Sequence, residues 1–142
     1  MHPEKSLLEI LGAHTLPVLA ERGFSVVSYE ESESFDNAVV ILGSPQLRLR
    51  IIRERRQFFL DIGCVAEPDT WFDSAVVFDY LGLSSNGGFH GREEASIRKM
   101  CEFVVVMWKE LVLAFAPTSF NKTKKDLEAL RDRRAAHLFG FE

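Results

Sequence analysis

Cysteine is scarce in this 142-residue chain, which holds only Cys64 and Cys101. Two thiols neither make a disulfide framework nor complete a zinc site. Each lies in an apolar run, so both read as core residues of a reducing, cytoplasmic compartment. Long apolar runs are missing too. The most apolar stretch, Phe103 to Ala116, is broken by Lys109 and Glu110 and falls short of the roughly 20 residues a membrane span needs, so no membrane association is expected. Met1 to Ser6 lacks the basic-then-apolar order of an export signal, and the apolar run after it is broken by Glu9, Gly12 and His14. Basic charge is not in surplus either. A formal net charge of −4 argues against a general nucleic-acid or anionic-membrane binder and suits a cationic partner.

What is present reads as one globular domain over residues 1–142, because the apolar and charged fractions of 46% and 27% are near the globular averages and the length fits a single core. Leu7, Leu8, Ile10, Leu11, Leu16, Val18 and Leu19 recur at helical spacing between Glu4 and Arg22. Gly23 is a natural stop, and Pro17 is expected to kink this helix or to restart it with Thr15 as an N-cap. Phe24 to Tyr29, Ala38 to Leu42, Leu47 to Arg53 and Phe58 to Cys64 read as strands, with the polar run Glu30 to Asn37 as a loop. If Arg55 and Arg56 are the central turn residues, Ile51 falls opposite Leu60 and Arg50 opposite Asp61, which puts apolar partners on one face and an ion pair on the other.

Farther on, Thr70-Trp71-Phe72-Asp73 has the spacing of a capping box for a short helix that ends at Leu81 and Gly82. Ser84 to Gly91 reads as a flexible loop. Ile97, Met100, Cys101, Val104, Trp108, Leu111, Val112 and Phe115 predict a central helix lasting until Pro117. With Phe103, Val106 and Leu113 it is apolar nearly all round, so cover on several sides is expected. A last helix is expected from near Thr123, its basic residues offset by Asp126, Glu128 and Asp132. The predicted fold is α+β: an antiparallel four-stranded meander packed with an N-terminal helix and two to three C-terminal helices.

Chemical motifs are sparse. Gly87-Gly88-Phe89-His90-Gly91 could hold an anion on its backbone amides, with His90 as a base, but it lacks the Gly-Lys-Ser/Thr ending of a phosphate loop and has no nucleophile beside it. His2, His14 and His137 have no metal-ligand spacing, so neither a metal nor a cofactor is expected. Arg48, Arg50, Arg53, Arg55 and Arg56 form a basic ribbon, interrupted by Glu54 and lacking the interleaved aromatics of a single-strand binder, so nucleic acid is not the expected partner. Glu30, Glu31, Glu33 and Asp36 crowd like charge into one connection, with Phe35 among them. The repulsion is relieved when a basic surface docks, which makes these four the expected partner-binding residues.

The stretch NAVVILGSPQLRLRIIRERRQFFLDIG from Asn37, followed by WFDSAVVFDYLGL up to Leu83, resembles small bacterial proteins of unassigned role, some of them of the immunity type found in toxin systems. That resemblance covers about a third of the chain and carries no site residues over. It implies an interaction domain that blocks a basic toxin or enzyme. The alternatives are a small enzyme built on the His90 loop and a homo-oligomeric subunit, such as a homodimer, joined through the Phe103 to Phe115 helix.

Overall fold

The computed structural model describes residues 6–32, 37–83 and 93–139. Ser6 opens the first helix by accepting a hydrogen bond from the Glu9 amide at 3.1 Å, and α1 then runs from Leu7 to Ala20. Leu7, Leu11, Thr15 and Leu19 recur every four residues and form its buried stripe. The helix runs continuously from Leu7 through Pro17 to Ala20, so it does not restart at Thr15, which sits mid-helix and buried.

The strands are β1 (Ser25–Glu31), β2 (Ala38–Gly43), β3 (Leu47–Glu54), β4 (Gln57–Cys64) and β5 (Trp71–Asp73), all antiparallel neighbours in chain order. Arg50 faces Asp61 and Ile51 faces Leu60, as the turn chemistry predicts. Two boundaries differ from expectation. Glu30 and Glu31 belong to β1, paired with Val39 and Ala38, instead of to a loop. The meander has five strands instead of four, because Trp71-Phe72-Asp73 pairs with β4 and is no helix start. The cap of the next helix, α2 (Ser74–Tyr80), comes from Asp73, whose carboxylate accepts from the Ala75 amide at 2.7 Å; the Thr70 hydroxyl bonds Glu67 at 3.5 Å instead.

The expected central helix is two, α3 (Glu94–Val106) and α4 (Trp108–Ala114), separated at Met107. Ile97, Met100, Cys101, Val104, Leu111 and Phe115 all reach the core. Cover is expected from other elements or from a partner; within this chain Val106 and Leu113 are each left 71% exposed. The last helix, α5 (Phe120–Phe139), starts three residues before Thr123. Phe120, Thr123 and Leu127 bury its first half, and the Thr123 hydroxyl donates to the Ala114 carbonyl at 2.6 Å. Its charges do more than solvate a face. Lys124 reaches Glu67 at 2.8 Å, Arg134 reaches Asp79 at 3.1 Å, and Asp126 accepts from both Tyr80 and Lys122.

The core lies between the helices and one face of the sheet, where Val40, Leu42, Leu49, Ile51, Leu60 and Ile62 are almost wholly buried. The turn joining β3 to β4 places Arg55 and Arg56 at φ of 51° and 64°, the left-handed region that a two-residue hairpin turn requires and that Asn-Gly fills without strain. Two arginines there cost about 1 kcal/mol or more. The double substitution Arg55→Asn, Arg56→Gly is expected to raise stability by about 1 kcal/mol and the melting temperature by about 3–4 °C, measured by thermal and urea denaturation.

Candidate functional site

Strand parity sorts the side chains of the sheet into two sets. The set facing away from the helices falls into cross-strand rows: Glu30, Val39, Ile52 and Phe59; then Ser28, Ile41, Arg50, Asp61 and Asp73; then Gly43, Arg48, Gly63 and Trp71. Val39, Ile41, Ile52 and Phe59 are half-buried there and lie outside the core cluster. The Trp71 ring lies across Gly63 so closely that a Cβ on that glycine would sit 3.1 Å from it. Arg48 and Arg50 stack on the same ring at 5.3 and 4.8 Å, and Arg48 donates to the Pro68 carbonyl at 2.6 Å. The basic ribbon is therefore divided. Arg48 and Arg50 are held on the outer face, Arg53 turns to the helix side, and Arg55 and Arg56 stand on the turn.

Arg50 donates twice to one Asp61 oxygen, at 2.9 and 2.7 Å. Burial nevertheless raises the Asp61 carboxyl from its ordinary value, with Arg50 opposing and the neighbouring Asp73 charge adding to the rise. Desolvation outweighs the ion pair.

The acidic residues gather at the end of the sheet near the β1–β2 and β3–β4 connections. Glu30 and Glu31 are exposed on β1, whereas Glu33 and Asp36 lie outside the described residues. Glu31 and Arg53 are paired at 3.6 Å, with the arginine side chain only 7% exposed. The Tyr29 hydroxyl on that same side is buried without a hydrogen bond among the described residues, and burial together with the Glu31 carboxylate raises its pKa. A cleft of about 360 Å³ opens here, lined by Glu30, Glu31, Ser32, Asn37, Arg53 and Glu54 among others. Among the described residues its charged lining is three carboxylates against one guanidinium. Arg55 stands at the rim, its amide donating to the Asn37 side chain at 3.1 Å.

No protein-family model, curated protein or solved structure matches this chain. Function has to be read from the residues themselves.

Glu54 and Arg53 are the members of this site that a reading of the acidic run alone misses. Both are reached by carrying the hairpin register one strand further, since Ala38 pairs with Arg53 and also with Glu31. The Gly87 to Gly91 loop and His90 lie outside the described residues. Among the described residues no group of three His, Cys, Asp or Glu side chains is placed to hold a metal ion, and no helix is long and apolar enough to cross a membrane. Burial pushes the Cys101 thiol up to about 12, so it stays protonated and is no nucleophile at neutral pH.

The sign of the Asp61 shift has a measurable consequence. A carboxyl whose pKa is raised by folding binds its proton more tightly in the folded chain, so it adds stability as pH falls through the folded value and none well above it. The stability of the native chain relative to an Asp61→Asn variant is expected to grow between pH 7 and pH 4 in urea titrations. A difference that shrinks on acidification contradicts the assignment.

Proposed function

We propose that this chain is a protein-binding domain of the immunity type, which seats a basic partner on the acidic cleft at the end of its sheet. The observation that carries this reading is the convergence of Glu30, Glu31 and Glu54 on one open cleft. Among the described residues, the only cation in its lining is Arg53, which is already paired with Glu31 and nearly buried. Glu30 and Glu54 are exposed and in no ion pair among the described residues, and such surface charge draws in a cationic surface faster than neutral diffusion does. The net charge of −4 acts in the same direction.

Glu31 is a poor choice for the test, because neutralising it removes a counter-charge of a buried guanidinium and bears on the fold. Glu30→Gln together with Glu54→Gln avoids this. Affinity capture from native lysate followed by native mass spectrometry is expected to retain a stoichiometric basic protein on the native chain and at least about tenfold less on the double variant, with melting temperature unchanged. Arg55→Glu with Arg56→Glu is expected to strengthen the same capture. Weaker capture on the arginine variant, or none lost on the glutamine variant, moves the binding surface away from the cleft.

A second reading has its own observation. Val106 and Leu113 leave apolar surface open on α3 and α4, as a subunit contact does before assembly. Self-association through these helices is expected to show as a mass that rises with concentration in sedimentation equilibrium and falls back to the monomer on Val106→Lys. A monomer mass at every concentration removes it.

A further inference from the structure

β1 is the terminal strand of the sheet, paired with β2 on one side only. Six of its seven residues are exposed, and Tyr29 is half-buried against the core. Val26 and Val27 are 44% and 59% exposed, high values for β-branched residues in a strand. The opposite edge is different. β5 has three residues, and its last, Asp73, caps α2. β1 is thus the long open edge of the sheet, a row of backbone donors and acceptors of the kind that pairs with an added strand.

Side chains along β1 select what can pair there. Val26 and Val27 lie at its start, beside a bulge between Val26 and Ser28, and Glu30 and Glu31 lie at its end. An antiparallel newcomer therefore meets two carboxylates with its first half and two valines with its second. A second copy of β1 does not fit this pattern, since antiparallel pairing centred on Ser28 sets each glutamate against Val26 or Ser25. A strand whose basic residues precede its β-branched ones does fit, by opposite-charge pairing at one end and apolar contact at the other.

We propose that the free edge of β1 takes an extended segment of the basic partner as a sixth, antiparallel strand, basic residues leading. The proposal rests on the acidic-cleft reading above and adds the mode of engagement. The probe is a capped heptapeptide, Lys-Arg-Thr-Val-Thr-Val-Thr, titrated into the native chain by calorimetry. Beside it run the reversed sequence and two versions N-methylated on alternate amides. Successive amides of a strand point to opposite sides, so one methylated version loses the ladder and the other keeps it.

Expected are a loss of about tenfold or more for one methylated peptide, near-parent binding for the other, and weaker binding of the reversed sequence. Amide hydrogen exchange across residues 25–31 is expected to slow about tenfold or more on binding, with α1 and α3 unchanged. If the heptapeptide binds and weakens on Glu30→Gln with Glu54→Gln, yet the 25–31 amides stay unprotected, strand addition is wrong and the acidic-cleft reading stands. If it does not bind, or binds independently of those glutamates, strand addition and the basic-partner reading fall together.

Discussion

The β3–β4 hairpin is the constraint on which the rest of the molecule depends. Its two-residue turn sets Glu54 against Gln57, and every later pair follows by parity up to Leu47 against Cys64. Leu49, Ile51, Leu60 and Ile62 thereby go inward, while Arg50 and Asp61 go outward. A slip of one residue in either strand would carry charge into a core that the helices close over and bring leucine and isoleucine out. Two arginines in left-handed backbone are tolerated because that register is worth far more than the local strain. Burial of an aliphatic side chain of this size contributes about 1.5–3 kcal/mol, and four of them depend on the pairing.

One residue breaks the parity rule. Arg53 occupies an inward-facing position of β3, opposite Ala38 and Phe58, and only 6% of it is exposed. A buried guanidinium without a counter-charge costs several kcal/mol, and one carboxylate paired with it, that of Glu31, stands at the end of β1. The acidic corner is thus tied to folding through Glu31 and left open to solvent through Glu30 and Glu54.

Much of this sheet can be read from the chain because hairpin register is a local property. Turn residues and alternation suffice by themselves to pair Arg50 with Asp61. What the chain does not disclose depends on distant partners. Trp71-Phe72-Asp73 is too short to show strand periodicity, and its strand character comes from the Trp71 ring lying over Gly63 and under two arginines contributed by β3. Glu30 and Glu31 look like loop residues until Arg53 is placed beside them. The separation of α3 from α4 at Met107 leaves no mark in a helical pattern that continues from Val104 to Leu111 and Phe115. The true start of α5 escapes a search for capping residues, because Phe120 and Thr123 are anchored by packing and by the Ala114 carbonyl.

The open edge of β1 poses a problem that its chemistry also answers. Six exposed strand residues with two prominent valines invite indiscriminate pairing, which leads to aggregation. The register shift between Val26 and Ser28 interrupts the regular ladder beside the valines, and Glu30 and Glu31 place charge on the other half. Both features disfavour a neutral or acidic strand, including another copy of β1. Neither disfavours a basic one, because a cation opposite each glutamate turns the guarding charge into an attraction. Under the proposed strand addition, protection from self-pairing and selection of a basic partner rest on the same two side chains.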